Sequence, residues 1–252
     1  MRAGSRSERA YWAMILVLAS VAALMAFHPE GLSLPGVAGE MPAPPPVMAA
    51  ALFAVMLVVY GGLGFIGLRL AARVGFAGIL DDSVSHTQRF GVPAAAGLLL
   101  AAGFILTDLL FAPLHGLGRI PHPPFPISLG ASLTAGIGEE VLFRLFFISL
   151  WVWLVSHVLL RGRAQGRVFA AVTAVSALAF TVAHTPAVMY LMGLERVGDI
   201  PPALAVELFL LNGSLSVIAA VFLRSRGVLA AVGVHFWTDV GWHVLWGLVG
   251  GP

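Results

Sequence analysis

Two adjacent carboxylates and an arginine stand in an otherwise apolar run, GIGEEVLFRLFF (136–147). Residues four apart share a helix face, so Glu140 can reach Arg144 as an ion pair. Glu139 is turned about 100° away, at 3.6 residues per turn. It is five residues from Arg144 and poorly placed to pair with it. The spacing therefore predicts one carboxylate neutralised by Arg144 and one left available. An available carboxylate in a shielded site suits a general base that takes a proton from water. FTVAH (180–184) ends a second apolar run and supplies His184. HFWTD (235–239) places His235 and Asp239 on one face of a third. Three helices can thus bring one Glu and two His together around a cavity.

Each of these also has a plainer reading. Glu140–Arg144 can be a structural staple, and His235–Asp239 an interhelical hydrogen-bond pair. His115, His122, His157 and His243 fall in loops or near helix ends and read as ordinary interfacial histidines. Asp108 and Glu207 fall near an interface where water is expected. Asn212 is a further polar candidate, and Phe180 reads as packing. The combination on successive helices weighs more than any member.

The elements that position these residues follow from composition. The 252-residue chain is 59% hydrophobic and 10% charged, with a mean hydropathy of +0.95. Soluble domains are about 25% charged, so the main solvent here is lipid. Cys is absent, which excludes disulfides, thiolate nucleophiles and cysteine metal sites. The sequence pI of about 9.7 does not signal nucleic acid, because the arginines sit in short clusters between apolar runs. A bilayer is crossed by about 20 apolar residues, and seven such segments are expected at 11–27, 47–70, 92–112, 128–157, 168–185, 203–222 and 228–249. The fold class is all-α, a polytopic transmembrane bundle forming a single membrane domain over 1–252. The first run follows the basic segment MRAGSRSER. It is expected to stay as a span, since no small-residue cleavage site precedes HPEG. MPAPPPV (41–47) and IPHPPFPI (120–127) read as extended Pro-rich connections.

Arg2, Arg6, Arg9, Arg69, Arg73, Arg89, Arg161, Arg163, Arg167, Arg224 and Arg226 flank alternate loops, against Arg119 and Arg196 in the others. The positive-inside rule then places the N-terminus in the cytoplasm and the C-terminus outside, in a cell membrane. Glu139 and His184 lie toward the outer ends of their spans in that orientation.

EExxxR, FxxxH and HxxxD, in this order on separate spans, resemble the CPBP family of intramembrane glutamic endopeptidases. That family holds the type II CAAX prenyl proteases and bacteriocin-processing, immunity and abortive-infection-like proteins. The matching residues are 139–144, 180–184 and 235–239, and the Gly-containing stretch 212–235 is also similar. The resemblance covers about 130–240, and 128–249 would be the catalytic core. It implies that Glu139 and His184 activate a water and that His235 and Asp239 hold the oxyanion. The family often has Asn where this chain has Asp239. An ionised Asp only accepts hydrogen bonds, so Asp239 is expected to orient His235. No cofactor is implied. The alternative is a zinc enzyme with Glu139, His184 and His235 as ligands, although no HExxH is present. The expected partner is a membrane-anchored or exported peptide. An outward-facing cavity conflicts with prenylated cytosolic substrates. The competing functions are a non-catalytic binding or immunity protein and a small transporter.

Overall fold

A computed structural model describes residues 3–28 and 43–249. Among these residues the chain is helical, with no strand. Seven helices are long and apolar enough to cross a membrane, which makes this a multi-pass membrane protein. We number them α1 (Ala3–Met25), α2 (Pro45–Arg73), α3 (Thr87–His115), α4 (Ile127–Leu159), α5 (Gln165–Leu191), α6 (Pro202–Arg226) and α7 (Val228–Val249). Each expected span falls within one of them or nearly so. Arg2, part of MPAPPPV and part of HPEG lie outside the described residues. The rest of MPAPPPV departs from the extended expectation, because α2 begins at Pro45. Proline is compatible with a first helical turn, whose N–H groups have no intrahelical acceptor.

α3 ends at Gly116, whose φ of 71° is left-handed, and a Pro-rich strap over 116–126 leads to α4. α6 and α7 meet at Gly227, with φ 84°. A β-carbon there would also lie 2.5 Å from the Gly78 carbonyl oxygen. Only glycine fits both constraints, which accounts for Gly227, one of the three glycines in the 212–235 stretch.

Two apolar clusters hold the bundle together. One joins α1, α2 and α4 through Tyr11, Ile15, Leu18, Ala71, Val141 and Leu145, with residues of α5–α7 behind them. The Tyr11 hydroxyl donates to the Gly61 carbonyl at 2.6 Å, within the α1–α2 contact. The other joins α3, α5, α6 and α7 through Phe104, Phe180, Leu208, Leu211, Val234 and Trp242, with Ile120 of the strap. The polar residues lie where the two clusters meet.

Close helix approach sets their positions. At Gly97 of α3, an added β-carbon would lie 2.5 Å from the Val234 carbonyl oxygen and 2.9 Å from the Thr238 nitrogen. The α3 backbone therefore rests directly on the turn of α7 that carries His235. At Gly136 of α4, a β-carbon would be 3.2 Å from the Phe236 nitrogen, again on α7. Gly138, two residues on, differs from Gly136. Its nearest neighbours are the Tyr60 and Leu18 side chains at 3.4–3.8 Å, so it forms no backbone contact of this kind.

Candidate active site

α4 runs as a regular α-helix to Glu139, then widens into π-type turns over Glu140–Ile148. α7 does the same, α-helical to Asp239 and π-type over Val240–Trp246. Such widened turns are frequent at functional sites, and α2, α3 and the end of α4 carry them as well, at Met56–Tyr60, Thr87–Gly91 and Trp153–Leu159. The two beside the polar cluster each begin one residue after a candidate carboxylate.

Glu140 and Arg144 are wholly buried. Arg144 Nε lies 3.4 Å from Glu140 Oε1, as the four-residue spacing predicts. The guanidinium also sits 4.0 Å from the centre of the Phe180 ring, a cation–π contact that offsets part of its burial. Phe180 is therefore packing that borders the site. It also meets the His184 ring at 4.4 Å and the His235 ring at 5.9 Å.

His235 is held from both sides. Its Nδ1 is 2.9 Å from Glu140 Oε1, and its Nε2 is 3.5 Å from Asp239 Oδ2. The shorter contact, on Nδ1, comes from Glu140, and the expected Asp239 contact is on Nε2. Glu140 is thus shared between Arg144 and His235, where the four-residue spacing alone gave only Arg144. Asp239 instead flanks Nε2, on the side that faces the cavity.

His184 Nδ1 lies 2.8 Å from the Phe180 carbonyl. A carbonyl cannot donate, so Nδ1 carries the proton. The other ring nitrogen, Nε2, points at Glu139 Oε2, 3.4 Å away. His235 Nε2 stands 3.7 Å from the same oxygen. Glu139 is accordingly not left alone; it sits between two imidazoles. The Glu139 and His184 side chains keep 29% and 31% exposure, whereas His235 keeps 3%. The first two face open space and the third backs them.

That space is a cavity of about 420 Å³ lined by Glu139, His184, His235 and Asp239, with Phe104, Leu208 and Leu211 as apolar walls. The strap contributes five consecutive residues, Ile120 to Pro124. Two histidines read from the sequence as interfacial are in this wall. His122 and His243 face one another, Nδ1 to Nδ1, at 3.1 Å, and both line the cavity. Asn212 lines it too, with its Nδ2 donating to the Leu208 carbonyl. A separation of 121 residues leaves no local signal for the histidine pair.

Asp108 and Glu207 also depart from expectation. Both have 0% exposure instead of lying at a wet interface. Asp108 accepts the Ile120 N–H at 2.9 Å, and Glu207 meets His115 Nε2 at 3.0 Å. They fasten the strap beside the cavity. His157 ends α4 on an exposed turn, as read. Among the described residues, no group of three or more His, Asp or Glu side chains is arranged to hold a metal ion. The set Glu139, His184 and His235 gathers around one carboxylate oxygen without forming such a cage.

The three sequence motifs thus meet at one cavity inside an all-helical membrane bundle. Residues 121–241, just under half of the chain, match a family model described as type II CAAX prenyl endopeptidase Rce1-like. The match spans all three motifs and bears out the resemblance seen in them. Neither the curated proteins nor the solved structures gave a match.

Proposed function

We propose that the chain is an intramembrane endopeptidase that hydrolyses a peptide bond with a water activated by Glu139 and His184. One observation carries this reading. His184 Nε2 and Glu139 Oε2 face each other at 3.4 Å, while the proton of His184 is committed to the Phe180 carbonyl through Nδ1. Glu139 Oε2 is buried there without a hydrogen-bond partner among the described residues, held between the two imidazoles. The part of the Glu139 side chain left exposed accepts from a cavity water beside His184, whose oxygen is then aimed into the cavity.

In the proposed reaction this oxygen attacks the substrate carbonyl and one water proton passes to Glu139. The carbonyl oxygen takes up negative charge beside His235. With Nδ1–H donating to Glu140, a second proton on His235 Nε2, the imidazolium form of the ring, stabilises it. Such preset donors are often the largest catalytic term. Collapse of the intermediate breaks the C–N bond, and the proton held by Glu139 goes to the leaving amine. The products are one carboxylate-ended and one amine-ended peptide. Residues 128–249 carry all of these groups and form the catalytic core of the single membrane domain. No metal takes part in this scheme.

The strap and the 192–201 connection lie at the cavity's end of the bundle. With the arginine clusters in the cytoplasm, that end faces outward, and the substrate is a membrane-anchored or exported peptide reached from the outer leaflet. The test is Glu139→Gln against wild type in the native host, with membrane and secreted peptides compared by mass spectrometry. A precursor accumulating at equal protein level supports the reading. Matching peptide profiles, with the deletion phenotype still complemented, overturn it in favour of a binding or immunity protein of the same fold.

A further inference from the structure

The His122–His243 pair lies in the same cavity, outside the three motifs, and the proposed chemistry does not use it. A contact of 3.1 Å between two Nδ1 atoms has room for one proton, so one ring donates and the other accepts. For two neutral rings the remaining valences follow. The donating ring keeps a lone pair on Nε2, and the accepting ring carries N–H on Nε2. Whichever ring donates, the pair presents one donor and one acceptor. Neither Nε2 has a protein partner among the described residues, and neither is among the buried polar atoms left unpaired. His122 is held neutral by burial and by Arg119, which lower its pKa from 6.5 to about 4.

One donor and one acceptor on the same cavity wall complement the N–H and C=O of a peptide backbone. A carboxylate needs two donors and an ammonium needs acceptors alone. The neighbouring wall is apolar, made by Phe104, Ile120, Trp242 and Leu208. A peptide entering such a wall must find partners for its backbone groups, because leaving a buried amide unpaired is costly. We propose that His122 and His243 form a subsite that hydrogen-bonds a backbone amide of an extended peptide substrate, on the strap side of the bond to be cut. This rests on the endopeptidase reading and names how its substrate is gripped. The subsite selects peptide backbone in place of a particular side chain or chain terminus. Trp242 fixes the geometry, with the His122 ring edge-on to it at 4.6 Å.

The test uses full-length Glu139→Gln protein in detergent, which cannot turn over. The probe is a pool of N-acetylated, C-amidated hydrophobic tetrapeptides, passed over immobilised protein. A parallel pool has a single amide replaced by an ester at each position in turn. Retention is expected to fall about tenfold for one ester position only. In the H122L/H243L background that selectivity disappears. His243→Gln, whose amide also donates and accepts, restores retention, and thermal midpoints stay equal across variants. Equal retention with and without the pair, no retention by either protein, or no penalty from any ester overturns the subsite. If retention follows the pair while no precursor accumulates in the Glu139→Gln host, the subsite stands and the protease reading falls. If a precursor accumulates but retention ignores the pair, the reverse holds.

Discussion

Gly97→Ala tests the packing that sets the site without touching any polar residue. The new β-carbon would sit 2.5 Å from the Val234 carbonyl oxygen, 2.8 Å from Trp237 Cβ and 2.9 Å from the Thr238 nitrogen. Ordinary contact begins at 3.4 Å, so the helices must part by about 0.9 Å. Two of the three obstacles are backbone, which no rotamer change relieves. Overpacking of this kind costs about 1–3 kcal/mol. At roughly 2–4 °C per kcal/mol for a chain of this size, the thermal midpoint in detergent should drop by about 2–12 °C. The displaced segment carries His235, and a misplacement of about 1 Å can cost on the order of 100-fold in rate. Gly103→Ala is the internal control. It lies on the same helix with nothing within 4 Å of the new atom. It should be neutral or slightly stabilising, since Ala favours helix by up to about 1 kcal/mol over Gly. If Gly97→Ala melts with Gly103→Ala, the close α3–α7 approach is not what positions His235, and the argument fails.

Three further outcomes follow from the site and its setting. Glu140→Gln should lower kcat on the identified precursor by about 10²–10⁴-fold with KM little changed, because the neutral amide loses the charge that holds His235 Nδ1–H and supports the second proton on Nε2; unchanged kcat would remove Glu140 from its positioning role. Alkaline phosphatase fused at the C-terminus should be active, and an inactive fusion would reverse the orientation. The docked strap keeps His122 neutral, with its pKa lowered from 6.5 to about 4. Docking is therefore at full strength above about pH 6.5 and weakens as pH falls toward 4. Amide exchange over 117–125, compared with His122→Phe at each pH, should show extra opening in wild type below pH 6.5 only; parallel profiles would refute it.

The spans were legible because a bilayer imposes a length and an apolar content that few other environments require. Glu139, His184, His235 and Asp239 were legible because ionisable residues in such spans are costly and therefore informative. Their four-residue spacings also survive in the structure, as Arg144–Glu140 and His235–Asp239 show. Contacts between helices were not legible. The approach of Glu140 to His235 Nδ1 spans 95 residues, and no local pattern reports it. Asp108 and Glu207 looked interfacial because depth was judged from distance to the helix end. The strap folds back over that end and seals them in. Proline content suggested extended structure through 41–47, but a proline in the first turn is equally at home in a helix.

The two widened turns bear on why both Glu residues are needed. In a regular α-helix, Glu139 and Glu140 point about 100° apart, which alone separates their tasks. The change of pitch at Glu140 alters where the next turn presents its side chains, so Arg144 lies against both Glu140 and the Phe180 face. Arg144 is then buried as a counter-charge and not exposed to the cavity. Its three nitrogens have no hydrogen-bond partner among the described residues, an expensive arrangement unless its charge is needed where it is. Glu140 Oε1 meets both Arg144 Nε and His235 Nδ1, so one oxygen serves the staple and the histidine contact together. The Glu140–Arg144 staple is therefore compatible with the proposed catalytic reading: it ties α4 to the turn of α7 that carries His235, while Glu139, one residue earlier, borders the cavity.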